Sequence, residues 1–353
     1  RDAQGEPGLA AHSRRVVRRA RDLGIRIGEL EPGPNDAITD VVGTRVGHTT
    51  LVEGEDVRTG VTVVVPAELP VFAGCHRLNG NGELTGLEWV RESGFLTTPV
   101  GLTNTFSVGV VRDAIVAAQH AAGVGQWHLP VVGETYDGVL NDIAGMHVTA
   151  EHVHAAIESA ADGPVEEGAV GSGTGMIAHG FKGGIGTASR VTDDGYTVGV
   201  LVQANHGRRA RLSIGGVPVG RELGPERVPL PPRPDPVAGS IIALVATDAP
   251  LLPHQCDRVA QRAALGIART GGAGENSSGD LILAWSTRNA IGNGSTLSVT
   301  MLANERIDQV FYAAIDATEE AIVNALLAAD TTTGKGGATA HRLDHDLLRE
   351  LLP

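Results

Sequence analysis

Apolar residues recur every three to four positions across residues 109–123, 151–162, 253–267 and 304–328, and that spacing predicts helices with a buried face. Pro253 stands where a first-turn proline is tolerated, because that N–H has no intrahelical partner. Residues 61–65, 196–203, 240–246, 281–286 and 296–302 are instead β-branched or apolar, bounded by Gly, Asn or Asp, and predict strands. The run SIIALVA at 240–246 is continuous rather than alternating, so it belongs in a sheet covered on both faces. Strands and helices mix along the whole chain, which points to helices packed on sheets.

The strongest interruption is residues 224–239, GPERVPLPPRPDPVAG, with six prolines. Such a stretch cannot join a central ladder and favours an extended, exposed conformation. A linker between two domains is the ordinary reading. The flanks VGVLVQANHG and SIIALVATDAP, however, both read as buried strands of one core. The expectation is therefore one domain interrupted by an exposed loop.

Composition refines this picture. The chain of 353 residues is 42% hydrophobic and 20% charged, enough to bury a full core. With 48 glycines and only 3% aromatic residues, it should pack Val, Ile, Leu and Ala with close backbone approaches. A formal net charge of -13 argues against nucleic-acid or anionic-membrane partners, which need a basic surface. The basic run RRVVRRAR at 14–21 reads as a short helix that is solvated or contacts another subunit. Cys75 and Cys256 cannot form a disulfide framework or a four-cysteine zinc site, and read as small buried hydrophobes. No run approaches the roughly 18 apolar residues of a membrane span, and no apolar signal core is visible. The expected location is cytoplasmic.

Gly239-Ser240 is the first candidate for chemistry. An exposed proline-rich segment ends in glycine, and a buried strand begins at the serine. Self-cleavage needs the hydroxyl to attack the preceding carbonyl, and glycine leaves that carbonyl accessible. The new α-amine could then serve as general base for its own hydroxyl. Asn276-Ser277-Ser278-Gly279-Asp280 leads into the strand LILAWST, where Ser278 and Asp280 could orient a hydroxyl or amine, although a polar turn has the same composition. In VVGETYDGVLND, Glu134, Tyr136 and Asp137 crowd a strand end; a buried carboxylate there could hold an ammonium, and a tyrosine hydroxyl could donate to an oxyanion. The glycine-rich GSGTGMIAHGFKGGIG lacks the spacing of a phosphate-binding loop, as does DTTTGKGG. His147, His152 and His154 lack an acidic or cysteine partner at zinc spacing, so no metal is expected.

Together these segments resemble the self-processing serine aminopeptidases, the family of L-aminopeptidase/D-esterase-amidases and β-peptidyl aminopeptidases. The likeness runs in order through RARDLGIRIGELEPGPNDAITDVVGTRVGHTTL, VFAGCHRLNGNGELTG, LTNTFSVGVVRDA, VVGETYDGVLNDI, GSGTGMIAHGFKGGIGTASR, VGVLVQANHG, GSIIALVATDAPLLPHQ and NSSGDLILAWSTRNA. It implies an α+β fold, a four-layer αββα sandwich similar in layering to N-terminal-nucleophile hydrolases but differently connected. It also implies a single domain, 1–353, cleaved at Gly239/Ser240 into chains 1–239 and 240–353 that stay together, commonly as a homotetramer, without metal or organic cofactor.

By the same resemblance Ser240 is the nucleophile, with Ser278 and Asp280 as the orienting serine and acid. Asn205 is the oxyanion-stabilising asparagine with Tyr136 as its neighbour, Glu134 receives the substrate's free amine, and Trp127 lines the pocket. The base is left open between the Ser240 amine and the Ser278–Asp280 pair. Phe106 stands where many relatives carry histidine, making that part of the pocket more apolar. The implied activity removes N-terminal residues from small peptides, amides or esters. A self-cleaving acetyltransferase of the ornithine type, which uses threonine, and an inactive binding protein of the same fold are the alternatives.

Overall fold

The apolar run that follows Ser240 forms a strand whose two faces meet different layers. Ile242, Leu244 and Ala246 turn into one cluster with Val64, Val100, Leu102 and Val131, whereas Ile241, Ala243 and Val245 turn into another with Val259, Ala263, Ala314 and Ala321. Alternation along a strand sends neighbouring residues to opposite faces, so a strand apolar at every position must be covered on both. The computed structural model describes residues 19–125, 127–232, 239–292 and 294–352.

In chain order the elements are β1 (Arg45–Glu53), β2 (Val57–Val65), β3 (Val71–Gly80), α1 (Leu87–Ser93), β4 (Phe95–Leu96), β5 (Val100–Asn104), α2 (Val108–Ala121), β6 (Val131–Thr135) and α3 (Ala150–Glu158). A short hairpin, β7 (Ile177–Ala178) and β8 (Phe181–Lys182), precedes β9 (Gly184–Val191), β10 (Thr197–Ala204) and α4 (Val219–Glu222). After the proline-rich segment come β11 (Ile241–Thr247), α5 (Pro253–Arg269), β12 (Gly279–Ser286) and α6 (Asp308–Ala328).

One sheet has the order β1-β2-β5-β6 and the other β4-β3-β12-β11-β10-β9. Their inner faces share a core closed by Leu201, Leu283 and Trp285. On the outer face of the smaller sheet, Val61, Val63 and Val132 pack on Val111 and Ile115 of α2 and Val153 of α3. On the outer face of the larger sheet lie α5 and α6, giving the order αββα. Close contact here requires glycine: a Cβ on Gly186 of β9 would lie 1.9 Å from the Ala321 carbonyl oxygen of α6.

β10 and β11, which flank the proline-rich segment, pair antiparallel from Val198↔Thr247 to Ala204↔Ile241. Residues 233–238 of that segment lie outside the described residues, whereas Pro225, Pro229 and Pro232 are exposed. No helix among the described residues is long and apolar enough to cross a membrane.

Three sequence expectations change. Residues 296–302 form no strand; the main chain of Thr300 is held by the Asn289 side chain, with bonds of 2.8 and 3.0 Å, leaving Leu297, Val299 and Met301 exposed. Of the basic run at 14–21, residues 14–18 lie outside the described residues, and only the 3-10 turn Ala20–Leu23 follows. Its arginines face inward rather than solvent: Arg19 lies 3.1 Å from Glu167, and Arg21 lies 3.0 Å from Glu320. The helix expected at 151–162 also ends early, because Ala161 exchanges backbone bonds of 3.0 and 3.1 Å with Val46 beside β1.

Arg21 and Arg19 join a charge network that pins the N-terminal segment onto α6. Its centre is Arg190, fully buried, whose guanidinium bonds the fully buried Glu320 and lies 3.6 Å from Asp36. Removing one member leaves an uncompensated buried charge, which typically costs about 3–5 kcal/mol. Glu320→Ala should therefore lower the unfolding free energy from urea titration by about 3–5 kcal/mol, whereas an unchanged midpoint would mean that the network contributes no stability.

Candidate active site

The parallel register of β11 on β12 sets Ile241 opposite Asp280. Ser240, one residue before the strand and only 7% exposed, therefore lies beside Gly279 and Ser278. The Gly279 N–H donates to Ser240 Oγ at 3.0 Å. Ser278 Oγ lies 2.6 Å from Asp280 Oδ1 and also contacts the Gly239 carbonyl oxygen. One hydroxyl proton cannot serve two acceptors. Burial pushes the Asp280 pKa up to about 6, against the Ser278 and Ile241 bonds that favour its carboxylate. A protonated Asp280 can donate to Ser278, which then donates to Gly239, and both contacts are satisfied.

Asn205 stands at the end of β10 on the other side of Ser240. Its N–H donates to the Ser240 carbonyl at 3.1 Å, its Oδ1 accepts from the Ile177 N–H at 2.7 Å, and its Nδ2 donates to the Tyr136 carbonyl at 3.0 Å. The carboxamide is thus clamped, with one Nδ2 proton still to place. Residue 239 has no room for a side chain: a Cβ there would lie 1.4 Å from the Asn205 carbonyl oxygen and 3.1 Å from Nδ2. Tyr136 is the neighbour of Asn205 through its carbonyl, while its phenol lies over Gly138, where a Cβ would meet the hydroxyl oxygen at 2.4 Å.

Glu134, from β6 in the facing sheet, is 4% exposed. Its Oε1 accepts from the Glu83 N–H at 3.0 Å, and its Oε2 accepts from the Thr105 hydroxyl. Burial raises its pKa, against the Thr105 and Glu83 bonds. Gly82 links it to the serine, since a Cβ there would lie 2.9 Å from Gly279 Cα and 3.3 Å from Glu134 Oε1. Ser240, Ser278, Asp280, Asn205 and Glu134 therefore gather where the two sheets meet.

Phe106 is half exposed beside Thr105, with its N–H on Asn104 Oδ1 at 3.0 Å. Trp127 is exposed and edge-on to Trp89, with ring centroids 4.8 Å apart. Thr105 and the Gly279 N–H were not singled out from the sequence, although Thr105 directly precedes Phe106 in LTNTFSVG. His147 lies 3.3 Å from Asp142, and His152 accepts from the Thr149 N–H at 3.1 Å. No group of three metal-ligating side chains occurs among the described residues.

This geometry can be set against known proteins. Residues 36–340 match Peptidase family S58. The chain belongs to this family. It is 50% identical to the β-peptidyl aminopeptidase BapA of Sphingosinicella microcystinivorans, over 95% of this chain and 91% of that one. Identity to the BapA of Sphingosinicella xenopeptidilytica is 43%, over 98% and 93%. Among solved structures, a Burkholderia sp. β-aminopeptidase superposes with a TM-score of 0.88 at 53% identity, covering 94% of this chain and 99% of that one. The L-aminopeptidase D-Ala-esterase/amidase of Ochrobactrum anthropi, described as a prototype serine aminopeptidase and a new variant of the Ntn hydrolase fold, gives 0.87 at 43% identity, over 95% and 98%. This S58 peptidase is accordingly an aminopeptidase on a variant Ntn hydrolase fold.

Asp280 and Glu134 both have raised pKa values, so each is a carboxylate only above its raised value and loses charge as pH falls. Values of kcat/KM for an amino acid amide should therefore fall further as pH drops through about 6, where Asp280 takes up its proton. Initial rates between about pH 4 and 8 check this, and a profile flat to about pH 4.5, near the ordinary carboxyl range, would contradict it.

Proposed function

We propose that the chain cuts itself between Gly239 and Ser240, and that the freed N-terminal Ser240 then removes N-terminal residues from substrates bearing a free amine. The observation that carries this reading is the Ser278 hydroxyl on the Gly239 carbonyl while the Gly279 N–H holds Ser240 Oγ. A carbonyl polarised at its oxygen, next to a fixed hydroxyl, is prepared for attack. Ser240 Oγ adds to the Gly239 carbonyl carbon, the C–N bond breaks, and the proton lost by the hydroxyl ends on the nitrogen, which becomes the α-amine of Ser240. Water then hydrolyses the ester, leaving a Gly239 carboxylate and a free hydroxyl. The pieces 1–239 and 240–353 would stay in one sheet, since β11 and β12 are flanked by β10 and β3.

In turnover the α-amine accepts the Ser240 hydroxyl proton as the oxygen attacks the substrate carbonyl. The second Nδ2 proton of Asn205 stabilises the oxyanion, the amine product leaves, and water releases the acyl group. Glu134 receives the substrate's ammonium, and its two bonds from Thr105 and Glu83 favour the charged form. Relatives at 50% and 53% identity are named for β-peptides, which favours β-aminoacyl groups among the small peptides and amides accepted. Phe106, half exposed beside Thr105, makes that side of the pocket apolar.

An oxyanion donor is worth about 100-fold or more in kcat, so Asn205→Ala should lower kcat on a β-amino acid amide by that factor. Glu134→Gln should act mainly by raising KM. N-acetylated substrates should be poor for the wild type; if they were cleaved as fast as free-amine ones, the role of Glu134 would be wrong.

A further inference from the structure

Lys182 is fully buried behind Asn205, on the second strand of the β7–β8 hairpin. Its Nζ donates to the carbonyls of Gly173, Met176 and Gly183 at 3.0, 2.9 and 2.7 Å. A neutral amine has two N–H bonds and an ammonium three, so three acceptors match the charged form. Buried Asp137, whose Oδ1 accepts from Asn141 Nδ2 at 3.1 Å, supports it when ionised, although burial pushes the Asp137 pKa itself up to about 7. Burial pulls the Lys182 pKa down to about 7 even against that charge, so it is the three carbonyl acceptors that mark the ammonium.

The Met176 carbonyl and the Ile177 N–H belong to one peptide unit. That N–H is the donor that holds Asn205 Oδ1 at 2.7 Å. We propose that Lys182 acts as a positioning residue for hydrolysis: its ammonium polarises and anchors the Met176–Ile177 peptide, which orients the Asn205 carboxamide and strengthens its Nδ2 donor toward the oxyanion. Hydrogen bonds in series polarise one another, by about 10–30% per bond, and do so most where water is excluded. The inference rests on the reading of Asn205 as the oxyanion donor.

Lys182→Met removes the charge and every donor, whereas Lys182→Gln keeps donors to the loop carbonyls without charge. Both are assayed as full chains on a neutral amino acid amide, with rates normalised to the cleaved fraction and melting followed in parallel. Lys182→Met should lower kcat about tenfold, Lys182→Gln less, and KM should stay within about twofold for both, because an oxyanion donor acts in the transition state. A kcat within about twofold of wild type, or a loss carried by KM, overturns the proposal. If Lys182→Met does not fold, Lys182→Gln decides by the same criteria, and if neither folds the role is structural and the proposal fails. Asn205→Ala run alongside separates the two readings. Loss of kcat there but not at Lys182 sinks the Lys182 role alone, whereas loss at Lys182 but not at Asn205 sinks the oxyanion assignment.

Discussion

The parallel register between β11 and β12 is the constraint on which the site depends. With Ile241 opposite Asp280, the residues just before each strand are brought together, placing Ser240 against the Gly279 N–H and Ser278 against Gly239. A slip of one residue would reverse the faces of β11 and turn Ile242 and Leu244 out of the inter-sheet core. Packing of the sandwich therefore fixes the position of Ser240, and the apolar strand that stabilises the fold also carries the residue proposed as nucleophile. Rigid strand ends hold such positions more closely than free loops do.

The facing sheet contributes the second half. Glu134 arrives on β6, and Gly82 lets it approach the Ser240 segment because no side chain separates them. Each polar side chain at this junction is buried and held by a partner chosen for its charge or proton count: Glu134 by two donors, Asn205 by two bonds, Lys182 by three carbonyls. In a poorly solvated site fixed dipoles act strongly, and the same burial raises the carboxyls of Asp280 and Glu134 toward neutrality. The burial that holds these side chains in place is also what makes both carboxyls easier to protonate.

Much of the architecture is legible in the residues themselves. Helical periodicity located α2, α5 and α6 to within a few positions, and the unbroken apolar run marked β11 as covered on both faces. Residues 296–302 carry the same signature as a strand, yet their hydrogen bonds go to the Asn289 side chain, a choice made by tertiary context. Ser240, Ser278 and Asp280 stand out because they begin strands. Thr105, Gly82 and Lys182 do not, since their roles arise only when distant segments close on one another. Trp127 entered through resemblance alone, and its ring stands edge-on to Trp89.

Self-cleavage is the central claim, because only a free N-terminal Ser240 has an α-amine to act as base. Denaturing mass spectrometry of the purified chain, beside a Ser240→Ala variant, tests it most directly. The wild type should resolve into fragments meeting at Gly239/Ser240, while the variant stays intact. A wild-type chain that remained whole after prolonged incubation while hydrolysing amino acid amides would contradict the account.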